Sequence, residues 1–204
     1  MQNYYLEQMG VTSWLMRDNP QRLSTLQQLA TEVAACTRCP LHQTRSQTVF
    51  ARGNPQAKLM IIGEAPGFPE DHEGLPFVGV AGRLLEQMIS CIGLLNNEIY
   101  ITNVLKCCPP NNRDPQSDEI TQCSSYLAQQ ISLVKPTLLL ALGRVAGQYL
   151  LNTTRSLNQM RSQKHDYQNI QVIVTYHPAY LLRNPSDKKR AYHDWLTVQQ
   201  LLQS

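Results

Sequence analysis

The sequence predicts an α/β fold with a parallel central sheet. Two observations support this fold class. Short, nearly continuous apolar runs alternate along the chain with segments of helical periodicity. Continuous rather than alternating apolar runs are typical of parallel strands, because helices cover both faces of such a sheet and connect its strands by right-handed crossovers.

Four apolar runs are predicted strands and four periodic segments are predicted helices. The strands are residues 59–62, 99–104, 137–142 and 172–176, and the helices are residues 23–35, 82–92, 117–133 and 145–150. Ahead of them we expect an N-terminal arm, residues 1–30, in which Pro20 would interrupt a helix. Residues 31–204 form the predicted folded domain.

Polar side chains stand where three of the predicted strands end. Glu64 follows the first strand within Gly-Glu-Ala-Pro-Gly, Asn103 lies in the second, and His177 follows the fourth. Ligands of open parallel sheets bind beyond the carboxyl ends of the strands. The sequence therefore predicts a site in which a carboxylate, an amide and an imidazole meet at one sheet edge.

Composition excludes several classes of protein. The chain has 204 residues, 42% of them apolar, with 18 Lys and Arg against 15 Asp and Glu, for a formal charge of +3. So small a charge argues against binding to nucleic acid by bulk electrostatics. No apolar run is long enough to span a membrane, and no secretory signal is recognisable. We therefore expect a cytoplasmic monomer without membrane association.

The cysteine spacing indicates a metal centre. Cys36 and Cys39 are two residues apart, and Cys107 and Cys123 lie further along the chain. Four thiolates suit either zinc or an iron–sulfur cluster, and spacing alone does not choose between them. Cys108 competes with its neighbour for the third position. The sixth cysteine, Cys91, is predicted to be a small buried apolar residue.

Together these motifs resemble family 4 uracil-DNA glycosylases, the iron–sulfur branch of the uracil-DNA glycosylase superfamily. The matching segments are Cys36-x-x-Cys39-Pro-Leu, Gly63-Glu-Ala-Pro-Gly67 with Glu70-Asp71, Pro76-Phe-Val-Gly79, Thr102-Asn-Val-Leu-Lys-Cys107, Pro109-Pro-Asn-Asn-Arg113, Cys123 and His177-Pro-Ala-Tyr-Leu-Leu-Arg183. The resemblance implies a three-layer αβα fold around a four-stranded sheet. It also implies a [4Fe–4S] cluster held by Cys36, Cys39, Cys107 and Cys123, with Cys107 preferred over Cys108.

The same resemblance implies an enzyme that flips uracil out of DNA and hydrolyses its N-glycosidic bond. His177 would donate a hydrogen bond to uracil O2, Asn103 would recognise the N3–H and O4 edge, and Glu64 would position water. Phe77 would stack on the base, and Glu70 would lie near uracil C5 and exclude a thymine methyl group. Backbone N–H groups around Ala65, Pro66 and Gly67 would hold a uracil carbonyl or a phosphate.

Contacts to the DNA strand are expected in the segment that follows His177. Leu181 is the predicted apolar wedge that fills the space left by the flipped base, and Leu182 is the alternative. Arg183 is predicted to contact a phosphate.

Three further hypotheses remain beside this interpretation. Residues 1–22 resemble the N-terminal peptide of the psi subunit of the bacterial replicative polymerase, which implies binding to the clamp loader. A superfamily member could hold uracil-DNA without turnover, although the basic, His-containing insertion of such relatives is absent from residues 106–113. A zinc-stabilised nucleic-acid adaptor without catalytic function is the third.

Overall fold

A computed structural model of the chain describes residues 20–161 and 163–203. The clamp-loader hypothesis concerns residues 1–22, of which 1–19 lie outside this range, so it stays a prediction. Within the described ranges, no helix combines the length and the apolar character needed to cross a membrane.

The structure has a six-stranded sheet at its centre. The strands are β1 (Arg52–Gly53), β2 (Leu59–Gly63), β3 (Ile99–Asn103), β4 (Leu138–Leu142), β5 (His165–Tyr167) and β6 (Ile170–Thr175). In the order β1-β3-β2-β4-β6-β5, the four inner strands run parallel and each outer strand pairs antiparallel to its neighbour. The predicted four parallel strands are confirmed. The predicted total of four was wrong, because the two short edge strands carry no apolar run.

Eight helices lie in the described part of the chain. They are α1 (Pro20–Ala34), α2 (Phe68–Glu73), α3 (Val80–Cys91), α4 (Ser117–Val134), α5 (Arg144–Leu151), α6 (Leu157–Arg161), α7 (Pro178–Arg183) and α8 (Lys188–Gln203). Pro20 lies within α1 as the first described residue of the helix. The predicted boundary between residues 30 and 31 therefore falls within a helix.

Alternate residues of the inner strands face two separate apolar layers. In β2, Met60 and Ile62 pack in a core with side chains of α1, α4, α5 and α6. Leu59 and Ile61 point to the opposite face and pack with side chains of α3 and α8. Two covered faces explain why the strand sequences are continuously apolar. The α/β class with three layers is confirmed.

Cys91 does not belong to the core, contrary to the sequence prediction. It is exposed at the end of α3, whose buried positions are Gly82, Leu85 and Ile89. Two residues beyond Ile89, the helix has turned by about 200°, which places Cys91 on the outer face.

The loop before α3 passes very close to the helix at Gly82. Phe77 adopts a left-handed backbone conformation with φ of 58°, which is uncommon for a bulky residue. A Cβ atom added to Gly82 would lie 1.8 Å from the Phe77 carbonyl oxygen. The loop can therefore pass over α3 only where the helix carries no side chain.

We predict that Gly82→Ala destabilises the protein, because the clashing atom belongs to the backbone and cannot rotate away. Overpacking of this kind typically costs about 1–3 kcal/mol, and the free energy of unfolding in urea measures it. Ser90→Ala, at an exposed position of the same helix, is the control and should change stability little. Equal stability of the two variants would contradict this account of Gly82.

Candidate active site at the sheet edge

A cleft of about 470 Å³ opens beyond the carboxyl ends of the parallel strands. Glu64, Asn103 and His177 all line it, as the strand-end pattern predicts. Two of them come from neighbouring strands, since Gly63 of β2 pairs in register with Asn103 of β3. Phe77 reaches the same cleft from the loop before α3.

The floor of the cleft brings an amide and an aromatic ring to the same point. A Cβ atom on Gly63 would lie 2.3 Å from Asn103 Oδ1 and 2.6 Å from Phe77 Cζ. Glycine is thus the residue that leaves space for both side chains. Asn103 is 2% exposed, and its Oδ1 has no hydrogen-bond partner among the described residues. A buried acceptor of this kind is costly unless something supplies a donor.

His177 presents a defined tautomer to the cleft. It is the N-cap of α7, where its Nδ1 accepts a hydrogen bond of 3.2 Å from the Ala179 backbone N–H. The neutral ring therefore carries its proton on Nε2. Burial is the main cause that lowers the pKa of His177 to about 4; the nearby Arg183 contributes to this shift and Glu70 opposes it. Its ring centroid lies 5.7 Å from that of Phe77.

Glu64 is half-buried in the cleft wall and its pKa is raised. Burial is the main cause, the negative charge of Asp114 adds to it, and Arg144 acts in the opposite direction. Asp114 and Arg144 form an exposed ion pair of 3.3 Å. Glu64 thus stands in a partly desolvated position, where a carboxylate can accept a proton more readily than in water.

Glu70 holds a loop together rather than pointing both oxygens at a ligand. Its Oε1 accepts 3.0 Å hydrogen bonds from the backbone N–H groups of Val78 and Gly79, and its Oε2 accepts one of 3.1 Å from Gly67. Glu70 therefore has a structural role in the cleft wall, and its contact to uracil C5 stays a prediction. The Gly67 N–H, predicted to hold a carbonyl or phosphate, is occupied in the same way.

Helix α7 places the two candidate wedge residues in different environments. Leu181 is 1% exposed and packs with Tyr176 and Ala191, whereas Leu182 is 40% exposed. Successive residues of a helix point about 100° apart, so only Leu182 of the two faces solvent, and the structure favours this alternative over the preferred Leu181. Arg183 is exposed and lines the cleft, as its predicted phosphate contact requires.

The four predicted thiol ligands line one small cavity between the end of α1, the loop after β3, and α4. Arg45 Nη1 lies 3.1 Å from Cys107 Sγ, and the Lys106 backbone N–H lies 3.3 Å from Cys123 Sγ. Both contacts place donors where a thiolate would accept them. Burial raises the pKa of Cys107 to about 11 and also raises that of Cys123, so the buried thiols favour the protonated form until a metal replaces the proton.

The donor set of the cavity consists of four thiols. Four thiolates are ligands both for a structural zinc ion and for an iron–sulfur cluster. Within the described ranges, no three His, Cys, Asp or Glu side chains are arranged to hold one metal ion. Cys108 does not line this cavity, which favours Cys107 as the third ligand.

A buried lysine connects the thiol cavity to the cleft. Lys106 is 1% exposed, and its Nζ donates hydrogen bonds of 2.7 Å to Thr102 Oγ1 and 2.6 Å to the Asn103 carbonyl. Burial lowers the pKa of Lys106 to about 7, and the thiols of Cys123 and Cys107 oppose that shift. The segment that ends in Cys107 therefore also supports the backbone of Asn103.

Comparison with known proteins decides the family. Residues 50–197 match the model of the uracil DNA glycosylase superfamily. The type-4 uracil-DNA glycosylase of Sulfurisphaera tokodaii is 42% identical over 188 residues, which cover 88% of this chain and 86% of that protein. The chain belongs to the type-4 uracil-DNA glycosylases.

Two other type-4 uracil-DNA glycosylases agree with this assignment. The protein of Saccharolobus solfataricus is 41% identical over 191 residues, covering 89% of this chain and 88% of its own length. That of Archaeoglobus fulgidus is 36% identical over 187 residues, covering 88% and 94%. The predicted family and the predicted enzyme class, a uracil-DNA glycosylase, are confirmed.

Several residues of the glycosylase cleft were not predicted from the sequence. Phe68, Asn112, Asp114 and Tyr180 line it. Asn112 and Tyr180 lie in motif segments, but no role was predicted for them. Arg113 also lines the cleft, but its guanidinium is bound by the buried carboxylate of Glu119, at 2.9 Å between Nη1 and Oε2. Arg144, the ion-pair partner of Asp114, lies two residues after the end of the third parallel strand, a position that could have indicated it.

We predict that Glu70→Ala lowers stability and uracil excision together, because three backbone N–H groups of the cleft wall lose their acceptor. Each buried donor left unpaired costs about 1–3 kcal/mol. Glu70→Gln keeps one carbonyl oxygen, so it should lose less in both measurements. Thermal unfolding and single-turnover excision of uracil from an oligonucleotide test this. A Glu70→Ala protein with unchanged stability would contradict the structural role.

We also predict that His177 stays neutral between pH 8 and pH 5. Its lowered pKa means that the unfolded chain binds a proton near pH 6.5 while the folded chain does not until about pH 4. The free energy of unfolding is therefore unaffected by His177 above pH 6.5. It declines as the pH falls from 6.5 toward 4, because only the unfolded chain binds the proton in this range. Nitrogen NMR of histidine-labelled protein, with His177→Asn to assign the signal, should show an Nε2–H tautomer. Titration near pH 6.5 would contradict it.

Proposed function

We propose that this glycosylase flips uracil from DNA into the cleft and hydrolyses the N-glycosidic bond, leaving an abasic site. The observation that carries the proposal is the buried Asn103 Oδ1, without a described partner, beside Phe77 and the neutral imidazole of His177. An extruded uracil would offer the missing donor. The substrate is uracil-containing DNA, and we expect a monomer to act on it.

Asn103 and Phe77 would select the base. Uracil N3–H can donate to Asn103 Oδ1, whereas cytosine N3 is an acceptor and would leave both groups unpaired in a buried site. Such a mismatch costs about 1–3 kcal/mol for each buried group. Phe77 offers an apolar face beside Asn103. The uracil ring can therefore stack on Phe77 while its polar edge forms hydrogen bonds with the Asn103 amide.

His177 and Glu64 would act on the bond itself. As the bond between C1′ and N1 breaks, the electron pair leaves with uracil and negative charge develops on O2. A neutral Nε2–H donor stabilises that charge without needing to lose its own proton. Glu64 would hold the water that adds to C1′ and would balance the positive charge on the sugar. The proton of that water finally protonates the departing uracil.

The exposed part of α7 would hold the strand. Leu182 is the side chain available to fill the stack after extrusion, and Arg183 lies at the cleft mouth for a phosphate. Insertion of an apolar side chain between bases is an established way to stabilise an extruded nucleotide. The proposed wedge is thus Leu182, the alternative residue of the sequence prediction.

Cys36, Cys39, Cys107 and Cys123 would hold a [4Fe–4S] cluster. When bound, the cluster supplies covalent cross-links among α1, the loop after β3, and α4, and the excision chemistry needs no electron transfer. Arg45 would donate to one sulfur ligand. Through Lys106, the same segment supports Asn103, so loss of any ligand should also disturb base recognition.

We predict that His177→Ala lowers the single-turnover rate of uracil excision by about 10²–10³-fold, the usual effect of removing one oxyanion donor. His193→Ala, an exposed histidine on α8, is the matched control and should keep the full rate. The assay uses an oligonucleotide with one uracil and detects strand cleavage at the abasic product. Full activity in His177→Ala would exclude the proposed role, and no product from the unmodified protein would exclude the function.

We predict that Cys107→Ser loses bound iron and acid-labile sulfide, whereas the adjacent Cys108→Ser retains both. Only the first of these thiols lines the cavity with Cys36, Cys39 and Cys123. Metal and sulfide content of the purified proteins measures the outcome independently of activity. Equal iron content in the two variants, or zinc in place of iron in the unmodified protein, would contradict the proposed ligand set.

A further inference from the structure

The cleft has exposed apolar side chains at its mouth. Phe68 lines the cleft and is 70% exposed. Val80, at the start of α3 beside the cleft residue Ala81, is 57% exposed. Leu182, which is also exposed, lies next to the cleft residue Arg183. Apolar side chains that are exposed together around a binding cleft mark an interaction site.

Phe68 stands on a rigid support. It begins α2 between the N-cap Gly67 and Pro69, and the proline restricts its backbone. A Cβ atom on Gly79 would lie 3.4 Å from Pro69 Cγ, so the starts of α2 and α3 are in contact. Glu70 ties Gly67 and Gly79 to one carboxylate. The aromatic ring is therefore presented on a fixed backbone, which reduces the entropy lost on binding.

This exposed surface is continuous with the substrate cleft, so we expect the substrate DNA to cover it. Phe68 shares the cleft wall with Glu70 and Phe77, and Arg183 supplies positive charge at the same mouth. An aromatic platform beside a cationic side chain is the combination by which proteins hold single-stranded nucleic acid. The chemistry matches a nucleobase next to a phosphate rather than an apolar protein surface.

We propose that Phe68 stacks on the base that neighbours the extruded uracil and thereby favours single-stranded over double-stranded substrates. This inference rests on the proposed function of the cleft. In a single strand the neighbouring base is free to turn onto the ring. In a duplex the same base stays paired and stacked within the helix, so the ring gains little. Phe68 thus determines substrate specificity without contacting the atoms that react.

The test compares Phe68→Ala, Phe68→Trp and Leu95→Ala in the full-length protein. Leu95 is the matched control, because it is 64% exposed but precedes β3 at the opposite edge of the sheet. Each protein cleaves the same uracil oligonucleotide, once single-stranded and once paired opposite guanine. In a second set 2-aminopurine flanks the uracil, and its fluorescence reports stacking.

Phe68→Ala should raise KM on the single strand by about ten-fold, the typical loss of one base–aromatic stack, and change it less than about two-fold on the duplex. Phe68→Trp should retain the unmodified KM and the quenching of 2-aminopurine, and Leu95→Ala should retain both. Equal losses on both substrates, or quenching that persists in Phe68→Ala, would overturn the inference.

Three other outcomes distinguish failure of the stacking role from failure of the proposed function. If the unmodified protein excises uracil and Phe68→Ala matches Leu95→Ala on both substrates, the stacking role is wrong while the proposed function stands. If Phe68→Ala changes sedimentation but not excision, the surface binds protein and the inference is again overturned. Absence of excision by the unmodified protein would overturn the proposed function together with it.

Discussion

The cleft depends on one buried carboxylate, that of Glu70. Its two oxygens accept hydrogen bonds from the backbone N–H groups of Gly67 on one side of the loop and of Val78 and Gly79 on the other, and so close the loop that carries Phe77. Ionised carboxylates accept hydrogen bonds more strongly than neutral groups. This closure holds Phe77 in its left-handed conformation against Gly82. Without it, neither the aromatic floor of the cleft nor the exposed ring of Phe68 would have a fixed position.

Burial of side chains in the cleft accounts for the electrostatics of the site. Removal of water raises the pKa of Glu64 and lowers that of His177, because desolvation disfavours the charged form of either group. The two shifts suit different tasks, since the carboxylate becomes a better proton acceptor and the imidazole becomes a permanent neutral donor. Electrostatic interactions are also stronger in such surroundings than in water. The proposed binding, base recognition and charge stabilisation would therefore all depend on burial of the cleft side chains.

The location of the site was predictable, while the function of several residues was not. Parallel strands end at one edge, so Glu64, Asn103 and His177 were placed together from sequence alone. The edge strands β1 and β5 were missed because they lack an apolar run. The sequence favoured Leu181 over the exposed Leu182 because motif spacing does not say which side of α7 faces solvent. The structural role of Glu70 depends on a loop closure over nine residues, which leaves no local pattern.

A crystal structure of the unmodified protein with uracil bound tests the central claim most directly. We predict that the ring lies against Phe77, that uracil N3–H donates to Asn103 Oδ1, and that His177 Nε2 lies within hydrogen-bonding distance of O2. The Glu70 contacts to Gly67, Val78 and Gly79 should be unchanged, because the cleft is already formed in the free protein. Uracil bound elsewhere, or an Asn103 amide turned away from the base, would contradict the account.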